Sequence, residues 1–155
     1  MLIFPGLLML HLIALVLMVG TTLIDFVTYN AFWKVFNKQK EQAAGILAAT
    51  AKFPRLISMG AGLLILSGAG MIVLTHGMLA QQLWFRIKIV FVFLLIGNGI
   101  FNGTRLGIRL RKIIEMKRPD MAAQALNLKS KLRIYFLIQF CFFLAVIFLS
   151  AYKFN

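Results

Sequence analysis

The sequence predicts an all-α membrane protein in which four helices cross the bilayer and pack as a bundle. Of its 155 residues, 61% are hydrophobic and 14% are charged, against roughly 45–50% and about 25% in soluble domains. Four apolar runs are each long enough for a helix that crosses the hydrocarbon core, which takes about 20 residues. The positive charges lie mostly between these runs.

The predicted spans form one domain over residues 1–155 and cover residues 7–26, 55–75, 83–103 and 132–152. Pro5 and Pro54 suit the first turns of the first two helices, and Trp84 opens the third. The N-terminus lacks a basic region and a small-residue cleavage site, so the first apolar run is expected to remain as a span. The single cysteine, Cys141, excludes an intramolecular disulfide.

The distribution of Lys and Arg predicts the orientation, because basic residues are enriched in cytoplasmic loops. The stretch between the first two spans carries Lys34, Lys38, Lys40, Lys52 and Arg55. The stretch between the last two carries Arg105, Arg109, Arg111, Lys112, Lys117, Arg118, Lys129, Lys131 and Arg133. The opposite side has Arg86, Lys88 and Lys153. Both basic stretches are therefore expected in the cytoplasm and both termini outside, with the bacterial cytoplasmic membrane as the location.

Both basic stretches are also expected to be helical. Residues 41–52 are rich in alanine, and apolar residues recur at helical spacing after Arg105, up to a predicted end at Pro119 and a cap at Asp120. With a net charge of +13, the expected partner of these segments is the anionic headgroup layer of the membrane, and no nucleic-acid partner is expected.

Polar residues inside the spans are predicted to form two clusters, because each ionisable group in a membrane requires a partner or a function. His11, Met18, Thr22, Asp25 and Tyr29 share one helical face of the first span. A matching stripe on the third span consists of Trp84, Lys88, Phe91, Leu95, Asn98, Asn102, Arg105 and Arg109. Lys88 is expected at the same depth in the membrane as His11. Asn102 and Arg105 of the third span and Gln139 of the fourth are expected at the depth of Asp25.

The inner cluster of Asp25, Asn102, Arg105 and Gln139 has a structural and a functional interpretation. An ion pair between Asp25 and Arg105 would satisfy the one carboxylate within the spans and fix the helix register. The alternative is a proton or cation relay. A single acid among many basic residues favours the structural interpretation.

The outer cluster also allows two interpretations. In one, a neutral His11 is hydrogen-bonded to a backbone carbonyl, and Lys88 extends towards the headgroups. In the other, His11 ligates a metal or a haem iron, while Lys88 and Arg86 bind carboxylates such as haem propionates. The small residues of span two indicate close helix packing, with room for a flat ligand as the alternative.

Two segments resemble a known family. Residues 11–16 (HLIALV), Gly20 and residues 29–31 (YNA) are similar to the first span of HemJ-type protoporphyrinogen oxidases and of CopD-type copper-resistance domains. Residues 84–88 (WFRIK) resemble the third span of the same superfamily. The resemblance implies a four-helix bundle that binds haem b, with functional roles for His11 and Lys88. The family also places a histidine midway along span three, where this sequence has Asn98 and Gly99.

These observations lead to three functional hypotheses. The first is a HemJ-like membrane oxidoreductase that binds haem or another anionic redox cofactor or substrate near its outer side, through His11, Lys88, Arg86 and Met18, the last as a weak ligand. The second is CopD-like passage of a metal or small solute, and the third is a non-enzymatic subunit of a homo-oligomer or membrane complex. The soluble-type motifs HExxH, CxxC, GxSxG and the Walker loop do not occur in the sequence.

Overall fold

The computed structural model describes residues 3–36, 38–115 and 121–152, which are almost entirely helical. The helices are, in chain order, α1 (Ile3–Phe36), α2 (Lys40–Ala49), α3 (Phe53–Leu74), α4 (Met78–Gln81), α5 (Leu83–Asn98), α6 (Arg105–Glu115) and α7 (Met121–Tyr152). A 3₁₀ turn, Thr50–Lys52, joins α2 to α3, and a π-helical segment, Gly99–Thr104, joins α5 to α6.

Four helical stretches are long and apolar enough to cross a membrane, namely Ile3–Phe36, Lys40–Leu74, Leu83–Glu115 and Ala123–Tyr152. The predicted all-α class, with four helices able to span a membrane, is thereby confirmed. The C-termini of α1 and α6 and the N-termini of α2 and α7 lie at the same end of the bundle, which we call the basic end. Each of the four helical stretches extends beyond its apolar run at this end. Pro119 and Asp120, the predicted helix end and cap, lie outside the described residues.

The bundle is built from two closely packed pairs of helices, α1 with α3 and α5 with α7. At Gly60 of α3 the two backbones of the first pair come into contact. A Cβ atom at Gly60 would lie 3.1 Å from the Met18 Cβ and 3.2 Å from the Ala14 carbonyl oxygen. A small residue at the crossing point is the usual condition for such an approach between membrane helices.

Aromatic rings join the two pairs through α1 and α7. The Phe26 and Tyr29 rings lie 5.3 and 5.4 Å from the Phe136 ring, within the range of favourable ring contacts. The Tyr29 hydroxyl donates a hydrogen bond to the Lys129 carbonyl at 2.6 Å. Beside them, Trp33 is buried, and the Lys129 ammonium lies 5.4 Å from its ring. This end of the bundle therefore has the largest buried core.

The helices α3 and α5 approach each other much less closely than either packed pair. They are connected at the end opposite the basic end by a tight turn, in which His76 and Gly77 have φ angles of 49° and 79°. Away from this turn the bundle has an open side between α3 and α5.

We expect Gly60→Val to lower the free energy of unfolding by about 1–3 kcal/mol, because the new side chain has to displace the α1 backbone. The measurement is SDS-induced unfolding in mixed micelles, followed by circular dichroism. The matched control is Gly62→Val on the same helix, where a Cβ has no neighbour within 4 Å. Equal destabilisation by both variants would contradict the packing argument.

Candidate functional site

A cavity of about 370 Å³ lies between the packed pairs and extends from the middle of the bundle towards the basic end. Residues of α1, α3, α5, α6 and α7 line it, and most of its wall is apolar. Its rim on the open side includes Ser58 and Ile65 of α3 together with Ile100, Thr104 and Ile108, all of them exposed. The cavity therefore opens sideways, where lipid would surround a membrane-embedded bundle.

Several polar side chains also line the cavity away from the rim. They include Asp25, Arg111, Tyr135 and Gln139. Arg111 is near enough for its charge to act on Asp25, and Asp25 in turn acts on Tyr135. One Arg111 Nη donates to the Thr50 hydroxyl at 3.4 Å, whereas Nε is buried without a hydrogen-bond partner among the described residues. An acidic and a basic group thus share one cavity.

Asn102 and Gln139, both predicted for the inner cluster, are linked through Asn98. The Asn102 amide donates to the Asn98 carbonyl oxygen at 2.8 Å, and the Asn98 amide donates to the Gln139 carbonyl oxygen at 2.8 Å. Gln139 and Asn98 are buried, with 1% and 8% of their surfaces exposed. This chain of amides ties α5 to α7 and satisfies polar groups that lipid cannot hydrogen-bond.

Arg105, which was predicted to pair with Asp25, lies elsewhere. It is exposed, and its guanidinium carbon is 5.2 Å from the centre of the Phe101 ring. The cation that reaches the surroundings of Asp25 is Arg111. The π-helical segment precedes Arg105, and its i→i+5 hydrogen bonds change the helical phase of the residues that follow. A stripe drawn at 3.6 residues per turn therefore no longer describes one face beyond this segment.

The third helical stretch, Leu83–Glu115, has a glycine at every fourth position where it forms the wall of the cavity. Gly99, Gly103 and Gly107 all line the cavity. A Cβ at Gly103 would lie 2.6 Å from the Tyr135 ring, so the absence of a side chain there lets Tyr135 pack against the π-helical segment. This spacing is visible in the sequence and is the signal that would have identified the wall.

His11 lies at the other end of the bundle, where its Nδ1 is 2.9 Å from the Ser67 hydroxyl oxygen. The Ser67 hydroxyl donates to the Leu63 carbonyl at 2.6 Å. His11 also has a hydrogen bond with the Leu64 backbone, so its ring is held against α3.

Lys88, Arg86 and Met18, the other residues of the predicted outer cluster, do not all lie beside His11. Lys88 is near enough for its charge to act on His11. Arg86 is exposed and its Nε donates to the Ala80 carbonyl at 3.0 Å, in the turn before α5. Met18 is buried beside Gly60 and lines the cavity, two helical turns from His11.

Met18, the predicted weak second ligand, does not share a site with His11. It packs against α3 about 10 Å further along the same helix at 1.5 Å per residue, and the cavity that it lines does not include His11. In the described ranges 3–36, 38–115 and 121–152, no three His, Cys, Asp or Glu side chains come together as a metal site. Cys141 is free and exposed on α7.

The likeness to HemJ- and CopD-type proteins stays a prediction from the sequence. Comparison with protein-family models, with curated proteins and with solved structures finds no match to this chain.

Proposed function

We propose that the chain is a membrane protein that binds a small amphipathic molecule, taken up from the bilayer through the open side between α3 and α5. The observation that carries the proposal is the cavity itself, which opens sideways, has a mostly apolar wall and includes Asp25, Arg111, Tyr135 and Gln139 in its lining. A volume of about 370 Å³ is within the roughly 300–1,000 Å³ of small-molecule sites.

The polar groups of this lining indicate what the head of the ligand would offer. An ionised carboxylate such as that of Asp25 only accepts hydrogen bonds, and a guanidinium such as that of Arg111 only donates them. Arg111 lines the cavity, so its guanidinium N–H groups could donate to an oxygen acceptor on the ligand. A head with both a hydroxyl donor and an oxygen acceptor matches these groups, and its apolar tail would lie along the rim.

Filling the cavity should abolish binding of a probe with that chemistry. We expect a photoreactive monoacylglycerol to label the rim around Ile65 and Ile100 in the wild-type protein, as mapped by peptide mass spectrometry. Gly62→Phe should reduce this labelling by at least about tenfold, because Gly62 lines the cavity and its Cβ position is open. Gly107→Phe fills the same cavity from the facing wall.

The matched control is Gly97→Phe, at a glycine that also has an open Cβ position but is absent from the cavity lining. Its labelling should equal that of the wild-type protein. Uniform labelling around the outside of all four helices, unchanged in the Gly62 and Gly107 variants, would rule the binding site out.

We also propose that the basic end faces the cytoplasm of a bacterial cell, with both termini outside. The excess of Lys and Arg in the two segments at this end, set against the few on the other side, supports this orientation.

Cysteine labelling tests the orientation. In a Cys141→Ala background, Gln81→Cys should react with a membrane-impermeant maleimide in intact cells, because α4 lies at the outer end. Lys38→Cys should react only after permeabilisation. Both positions are exposed on the surface of the bundle, so burial would not explain a difference in labelling between them. The reverse pattern would invert the topology.

A second candidate function is a HemJ-like redox role, in which His11 binds haem b or another anionic cofactor. It is supported by the fixed position of the His11 ring against Ser67 and by the nearby charge of Lys88. His11 would hold the iron through a ring nitrogen, and Lys88 would attract the carboxylates of the cofactor. Bound haem would supply one-electron chemistry at the outer end of the bundle.

The visible spectrum of protein purified after expression with ample haem tests this role. We expect a Soret band that disappears in His11→Ala, because the axial ligand is lost. His76→Ala provides the control, since His76 is the other histidine of the sequence and lies exposed in the turn. A protein without a Soret band, or with one that His11→Ala leaves intact, would refute haem binding at His11.

A further inference from the structure

A second, separate concavity lies at the basic end, where α6 packs against the beginning of α7. It is an open groove of about 380 Å³. Its polar lining consists of Arg109, Lys112, Gln124, Asn127 and Lys131, and its floor of Ile113 and Leu128. The cavity described above has none of these residues in its lining.

The groove concentrates positive charge through helical geometry. Arg109 and Lys112 are three residues apart on α6, and Asn127 and Lys131 are four apart on α7, so each pair shares one helical face. The two faces are directed into the same groove. Three cations and two amides line it without an acidic side chain among the described lining residues.

We propose that this groove binds the headgroup of an anionic phospholipid. Phosphate oxygens accept hydrogen bonds from guanidinium, ammonium and amide donors, which are the groups present here. Basic pockets at the ends of membrane helices suit such headgroups, since each Lys or Arg near an anionic surface contributes a favourable attraction.

The surface beyond the groove favours a lipid over a free phosphate. Ile134 and Ile138 follow Lys131 at spacings of three and seven, so they continue the same face of α7 towards the middle of the bundle. Their side chains are 53% and 38% exposed. A headgroup in the groove would therefore have its acyl chain beside an apolar stripe, whereas a soluble phosphate would leave that stripe unused.

Native mass spectrometry of the purified full chain tests the proposal with phosphatidylglycerol and phosphatidylcholine of identical acyl chains. We expect the wild-type protein to bind phosphatidylglycerol more tightly. The triple variant Arg109→Gln, Lys112→Gln, Lys131→Gln should weaken that binding on the order of a hundredfold, at about fivefold for each cation. Its affinity for phosphatidylcholine should not change.

The matched control removes the same charge from the other segment of the basic end, by Lys34→Gln, Lys38→Gln and Lys40→Gln, at positions that are likewise exposed. Its affinity for phosphatidylglycerol should stay within about threefold of the wild-type value. An equal loss of phosphatidylglycerol affinity in both triple variants would overturn the proposal, because the binding would then depend on the net charge of the protein and not on the groove. Displacement of the lipid by glycerol phosphate at equal concentration would also overturn it, in favour of a soluble phosphate ligand.

Discussion

The close approach of the α1 and α3 backbones at Gly60 holds one half of the bundle together. Because α3 packs far more closely on α1 than on α5, the two halves leave an open side between α3 and α5. They are joined by aromatic contacts between α1 and α7, by contacts between α2 and α6, and by the apolar cluster of Met18, Leu95 and Phe143. The cavity lies between these joined parts, and it opens on the side where α3 and α5 are apart.

The polar groups inside the bundle are satisfied to very different degrees. Asn98, Asn102 and Gln139 bond to one another, as side chains in a lipid environment must if they are to remain buried. Asp25 and Arg111 instead share a cavity, and the Arg111 Nε is left without a partner among the described residues. The first set has the character of a structural lock. The second supports the proposed binding site, since intramembrane charges are costly and commonly mark functional sites.

Sequence patterns were sufficient for the class of fold and less informative about the site. Long apolar runs predict membrane helices because lipid offers no hydrogen-bond partners, so the backbone groups of each span must bond to one another. The stripe predicted on the third span included Asn98, which is buried, and Arg105, which is exposed, and a π-helical segment between these two residues changes the helical phase. The bond from Asn98 to Gln139 depends on which helices are neighbours, and periodicity within one helix carries no information about that.

The distance between the two ends of the bundle favours binding over passage. His11 and Asp25 are 14 residues apart on α1, which is about 21 Å along a helix. Between them lies a buried apolar cluster of Met18, Leu95 and Phe143, with no more than 4% of each side chain exposed. A hydrated ion or polar solute crossing the bundle would have to displace this cluster and lose its water. A ligand that enters sideways from lipid passes beside Met18 and Leu95 in the cavity wall and need not displace the cluster, so the arrangement favours a site with lateral access.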